Sequence, residues 1–118
     1  MPGKNGCPMA EAVRAAYRAG EEDEAMEPRI LVNGNGMPLG RIADGDYCIF
    51  YDIRGERPES GAVYTEMVEK KCARLGTGLF CTIIGRFWSL DREENWDRIE
   101  KTYRALVGGK GLAVPADA

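Results

Sequence analysis

The chain has 118 residues, a formal net charge of −3 and a sequence pI near 5.1, with 44% hydrophobic and 30% charged residues. That length suits one domain and not comfortably two. The acidic balance argues against a general nucleic-acid or acidic-membrane surface. No apolar run approaches the ~20 residues that span a bilayer, and Met1-Pro2-Gly3-Lys4-Asn5-Gly6 is followed by no apolar h-region. The expected compartment is the cytosol, with neither nucleic acid nor membrane as partner. Histidine is absent, which removes the commonest general acid–base group and the commonest metal ligand. Cys7, Cys48, Cys72 and Cys81 are widely spaced, form no Cys-x-x-Cys pair and read as buried free thiols.

Residues 1–9 read as a flexible lead-in. A helix is expected over 10–18, with Ala12, Val13, Ala16 and Tyr17 on one face and Gly20 as its stop. Glu21-Glu22-Asp23-Glu24 is a solvated connection to a short strand over 29–32. Asn33-Gly34-Asn35-Gly36 then turns the chain. Residues 37–42 return as the strand's partner, and Pro38 places that hairpin at a sheet edge. The two glycines make no dinucleotide fingerprint, because no helix is signalled after them. A strong strand follows over 47–53, and Arg54-Gly55-Glu56-Arg57-Pro58 closes it. The spacing of Tyr64, Val68, Cys72 and Leu75 predicts a helix over 60–75 ended by Gly76.

The apolar run over 79–84 reads as a strand buried on both faces. Gly85 stops it, and a charged loop carries Arg86 and Arg92 into a last helix over 95–107, its face built from Trp96, Ile99, Tyr103 and Leu106. Residues 110–118 read as a tail. The order implies one α/β domain over 10–109. It is a small three-layer unit with two central parallel strands, an edge hairpin and three or four helices. With the strands at 47–53 and 79–84 as parallel neighbours, Arg54, Arg57, Arg86 and Arg92 share the carboxyl edge where open α/β sheets bind ligands. Arginine's planar fork pairs with carboxylate and phosphate oxygens, so a small anion fits there. The alternative for the same four residues is solvated arginines beside acidic helix ends.

The stretch Gly85-Arg86-Phe87-Trp88-Ser89-Leu90-Asp91-Arg92, followed by Trp96-Asp97-Arg98-Ile99-Glu100-Lys101-Thr102-Tyr103, resembles a signature of the cofactor-independent phosphoglycerate mutases, isomerases of glycolysis. In that family it belongs to the inserted, substrate-holding domain and not to the metal-bearing one. The resemblance extends over about residues 10–111. It implies that Arg54, Arg57, Arg86 and Arg92 hold the phosphate and carboxylate of a phosphoglycerate-like acid. In the mutases, however, the segment resembling 79–109 precedes the one resembling 10–57. The chain therefore resembles a circular permutation of part of the substrate domain, with the end of the last helix near Val107 expected beside Ala10. The resemblance implies that one family strand, which ends in an aspartate-rich loop, is merged with 47–53, with Asp52 or Glu56 as the candidate stand-in for its aspartates.

The mutase chemistry uses a phosphoryl-accepting serine and two metal ions held by aspartates and histidines. Neither Ser60 nor Ser89 has a base beside it. The expectation is therefore ligand binding by this chain, with no catalytic residue, metal or cofactor of its own. Two alternatives stand beside it. One is a mutase or phosphotransferase component that works with a separate metal-bearing partner chain. The other is a structural or interaction protein that has lost the ligand; a homodimer is the alternative to a metal-bearing partner chain.

Overall fold

The computed structural model describes residues 7–50 and 60–116. Pro8 opens the first helix, α1 (Pro8–Arg18), where its fixed φ suits the first turn and its missing N–H is not needed. Apolar residues at helical spacing bury Met9, Ala10, Val13 and Ala16. The chain then forms β1 (Arg29–Val32), α2 (Gly61–Leu75), β2 (Thr82–Ile83), α3 (Arg86–Ser89), α4 (Trp96–Gly108) and β3 (Leu112–Pro115). All four residues of β1 are buried, as the central strand of a covered sheet should be. β2 lies antiparallel on one side of it and β3 parallel on the other, with Arg29 opposite both Ile83 and Leu112. Among the described residues, no helix is long and apolar enough to cross a membrane.

Two apolar clusters join these elements. Val13, Ala16, Met26 and Ala62 form one, bringing α1 and α2 together. Met9, Leu31 and Val114 form the other, linking α1 to β1 and β3, with Ala12 and Ala116 packed against it. The two ends of the described chain therefore adjoin, through β3 and the start of α1. Side chains from elsewhere satisfy the open helix ends. Cys7 gives α1 no side-chain cap; instead the Glu69 carboxylate of α2 accepts the N–H groups of Met9 (3.1 Å) and Ala10 (2.9 Å). At the start of α2, Asp23 accepts the Gly61 N–H at 3.1 Å. Tyr17 accepts the Ala62 N–H at 3.2 Å and donates its own hydroxyl to Asp23.

The α/β class and the three longer helices match the sequence reading, except that Pro8 and Met9, expected in the lead-in, join α1 and that α3 stands where a loop was expected. A parallel pair is present, but it is β1 with β3, and residues 82–83 of the run expected to be parallel pair antiparallel. β1, expected in an edge hairpin, is the centre of the sheet. Its return partner shrinks to a single bridge between Val32 and Pro38, because Pro38 has no N–H to extend a ladder. Both edges of β1 are taken by β2 and β3, so no central position is open to residues 47–50. Tyr47, Ile49 and Phe50 are accordingly exposed and outside any strand; residues 51–53 lie outside the described residues. Only Thr82 and Ile83 of the run over 79–84 form a strand, half-buried at a sheet edge and not covered on both faces. Residues 112–115, expected as tail, form β3, since they supply the parallel partner that β1 lacks.

Two side-chain expectations also change. Of the four free thiols, Cys7 alone is buried; Cys48 is exposed, while Cys72 and Cys81 are half-buried. α2 buries Ala62, Thr65 and Glu69, while Tyr64 and Leu75 of the expected stripe are exposed. Small residues let α1 approach closely on that face, and Glu69 then meets the uncapped N–H groups. Thr65 satisfies its buried hydroxyl by donating to Gly61 O at 2.8 Å.

Candidate anion site

The arginine-bearing segment begins where β2 ends. Gly85 is buried, and a Cβ there would run into the backbone of Glu24 and Met26, so glycine alone lets the chain lie against them. The contact is fastened by Gly85 N–H donating to Met26 O (2.8 Å) and Phe87 N–H to Glu24 O (2.9 Å). Arg86 is the first residue of the single-turn α3. Its Nε lies 3.9 Å from a Glu24 carboxylate oxygen, with the two side chains 39% and 70% exposed. Such a pair is worth roughly 0–1 kcal/mol and is readily exchanged for another anion.

Phe87 and Trp88 meet edge to face, with ring centroids 4.9 Å apart. Each ring carries a cation from α4. The Arg98 guanidinium lies 3.9 Å from the Phe87 centroid, and Lys101 Nζ the same distance from that of Trp88. Trp88 Nε1 also donates to Ala25 O at 3.2 Å, and Lys101 reaches a Glu27 oxygen at 2.7 Å. These contacts seat α3 on α4 and on the connection before β1.

Between α3 and α4, Asp91 organises the loop. Its carboxylate accepts the N–H groups of Glu93 (3.3 Å) and Asn95 (2.7 Å), the Asn95 side-chain amide (2.7 Å) and Arg98 Nη1 (3.4 Å). The Asn95 side-chain hydrogen bond holds the Asp91 carboxyl below its ordinary range against an opposing desolvation; the Asn95 and Glu93 N–H groups and the Arg98 charge add to the lowering. Glu94 has φ +62°, a left-handed backbone uncommon outside glycine. Arg92 stands in this loop, exposed, with no hydrogen bond or ion pair among the described residues.

Of the four arginines singled out from the sequence, Arg86 and Arg92 thus lie on one short segment after the carboxyl end of β2, one loosely paired and one unpaired among the described residues. Arg54 and Arg57 lie outside the described residues, as do Asp52 and Glu56. Asp91, Arg98 and Lys101 were not singled out. The signal for Asp91 was its place four residues before Asn95, where the last helix was expected to begin. Arg98 and Lys101 sit one helical turn apart on the face toward Phe87 and Trp88.

The family model described as BPG-independent PGAM N-terminus matches residues 54–118. The chain is 42% identical over 69 residues to a 2,3-bisphosphoglycerate-independent phosphoglycerate mutase of Syntrophotalea carbinolica, a stretch that is 58% of this chain and 13% of that protein. It is 44% identical over 63 residues to the protein of that name from Lachnoclostridium phytofermentans, covering 53% of this chain and 12% of the relative. With the Moorella thermoacetica protein of the same name it shares 45% over 62 residues, 52% of this chain and 12% of the other. The chain thus spans about an eighth of the length of these curated relatives. No solved structure matches it. With more than half of its residues, Arg86 and Arg92 among them, inside the family match, the chain belongs to the BPG-independent phosphoglycerate mutase N-terminus family.

Proposed function

We propose that the chain binds a small phosphorylated carboxylic acid of the phosphoglycerate type through Arg54, Arg57, Arg86 and Arg92, and does not catalyse its conversion alone. The observation that carries this reading is the state of the two described arginines. Among the described residues, Arg92 is exposed without a partner, on a loop braced by Asp91, and Arg86 holds only a 3.9 Å contact to Glu24. Arg98 and Lys101, by contrast, are engaged on aromatic rings and carboxylates. The names of the relatives, mutases acting on phosphoglycerate, support that ligand class.

The residues present do not fit the two metal ions that the resemblance implies for the mutases. The chain has no histidine, and among the described residues no three His, Cys, Asp or Glu side chains converge as a metal site would need. No step is assigned to a metal here. The relatives' names favour a second reading, in which this chain serves a mutase whose metal site lies on a separate chain. The reversed segment order would bring the two ends of the chain together, and β3 packs on the start of α1; the family match covers 54–118 and leaves 10–53 outside it.

Calorimetric titration with 3-phosphoglycerate tests the binding reading. Charge-assisted hydrogen bonds contribute roughly 1.5–3 kcal/mol each, so Arg86→Ala and Arg92→Ala should each weaken binding about tenfold or more. Unfolding midpoints should move little, because both side chains stand at the surface. Equal affinity in wild type and both variants would remove the site. A coupled mutase assay on the purified chain with added manganese should show no turnover. Turnover that disappears in Arg92→Ala would establish a catalytic chain instead.

A further inference from the structure

We propose that Asp91 is a positioning residue for the anion site: its carboxylate fixes the loop between α3 and α4 so that the Arg92 guanidinium is presented to the ligand. The inference rests on the reading of Arg92 as an anion ligand and goes beyond it, because it names the group that makes Arg92 effective. An exposed arginine without a partner holds no direction of its own, and its aim is set by the backbone that carries it. In this loop one side chain sets that backbone. The Asp91 side chain is 4% exposed and accepts the N–H groups on both sides of Glu94, the residue with φ +62°. A left-handed non-glycine residue persists where its surroundings determine it, and such positions cluster at ligand clamps.

The same carboxylate takes Arg98 Nη1 at 3.4 Å, while the Arg98 guanidinium lies over Phe87, the neighbour of Arg86 in α3. Asp91 therefore ties the loop that carries Arg92 to the helix that carries Arg86. A residue that only capped α4 would need one acceptor for one or two N–H groups at the helix start. Asp91 lies before Asn95, the residue that precedes α4, and also holds the Glu93 N–H within the loop. The contacts exceed the needs of a cap, and the residue they enclose is Arg92.

A double-mutant cycle separates positioning from a merely structural role. The 118-residue chain is titrated with 3-phosphoglycerate as wild type, Asp91→Ala, Arg92→Ala and the double variant, each at a temperature where it is folded. Glu69→Ala, which weakens the fold at the distant start of α1, serves as the stability control. The expected result is a loss of about tenfold for Asp91→Ala and for Arg92→Ala, with the double variant no weaker than Arg92→Ala alone and Glu69→Ala binding like wild type. If Asp91→Ala does not fold, Asp91→Asn, which keeps the shape and one acceptor oxygen but loses the charge, should still bind measurably more weakly than wild type. Wild-type affinity in a folded Asp91→Ala or Asp91→Asn overturns the proposal while Arg92 remains a ligand. So do losses that multiply fully in the double variant. Wild-type affinity in Arg92→Ala sinks the reading of Arg92 itself, and the role of Asp91 falls with it.

Discussion

Met9, Leu31 and Val114, on α1, β1 and β3, are 0%, 2% and 6% exposed, whereas Ala105 is the one buried residue that α3 and α4 contribute together. One half of the molecule is held by apolar packing around the central strand. The other is held by a T-shaped aromatic pair, two cations on its rings and the donors around Asp91. Close packing tolerates no vacancy, because the removed contacts leave a cavity that the surroundings only partly fill. Polar and cation–π contacts at the surface are each worth far less and can be exchanged for water or for another charge. The first half therefore sets the fold, and the second keeps charge at the surface at little cost to stability. Substitutions on the two sides should differ accordingly.

The largest loss is expected in the packed half. Leu31 lies in β1, between β2 and β3, and joins Met9 and Val114 in one cluster. Leu31→Ala should cost about 2–5 kcal/mol, read as a lower midpoint in urea unfolding. Where the variant is still folded, the contribution of Arg86 and Arg92 to 3-phosphoglycerate binding should match wild type, since both stand on the other half. A loss below about 1 kcal/mol would mean that β1 is not the packed centre of the fold.

Glu69 comes next, as a polar group inside the packed half. Replacing it with alanine orphans the Met9 and Ala10 N–H groups at the start of α1, which should cost about 1–3 kcal/mol. Its pH dependence has a defined sign. Burial raises the Glu69 carboxyl above its ordinary 4.5, against the two N–H donors that lower it. Between 4.5 and the raised folded value the native chain binds more protons than the unfolded one, so this residue's contribution falls as pH rises through that window. Glu21 behaves oppositely. The Arg29 hydrogen bond lowers its carboxyl, so its contribution is present above 4.5 and lost as pH falls toward the folded value. Glu69→Gln should remove the first trend and leave the second, measured as the thermal midpoint from acid to neutral pH. An unchanged profile would mean that Glu69 keeps its ordinary value.

The same contrast explains what the sequence made legible. The three longer helices could be read to within two residues because periodicity and the stop at Gly76 are local signals, whereas the single-turn α3 carried none and was read as loop. The parallel pairing was expected, but strand identity was not, since pairing is a competition between distant segments. Residues 37–42 were expected beside β1 and 112–115 as tail, yet 112–115 form the parallel partner of β1, while residues 47–50 of the apolar run at 47–53 stand outside any strand. The face of α2 was missed because its choice depended on Glu69 finding open N–H groups about sixty residues away. Arg86 and Arg92 were legible as charges after a strand. What surrounds Arg92 was not, since the hydrogen bonds of Asp91 depend on how the loop folds back on itself.

The smallest effect belongs to Lys101, where the two halves meet. Its Nζ lies 3.9 Å from the Trp88 ring centroid and 2.7 Å from a Glu27 oxygen, on the connection leading into β1. Two favourable contacts suggest a strong anchor, but the Lys101 side chain is 36% exposed and that of Glu27 44%. A surface ion pair is worth roughly 0–1 kcal/mol and a cation on an exposed ring roughly 0.5–1, with the entropy of a long side chain set against both. Lys101→Met keeps the apolar stem over Trp88 and removes the charge. It should therefore cost no more than about 1 kcal/mol, and less at high salt as the Glu27 attraction is screened. Lys101→Arg, still able to stack on the ring and reach Glu27, should recover most of that loss. Urea unfolding of the three proteins at low and high salt decides the point. A loss above about 2 kcal/mol that salt leaves unchanged would place Lys101 with the packed half and erase the contrast at this position.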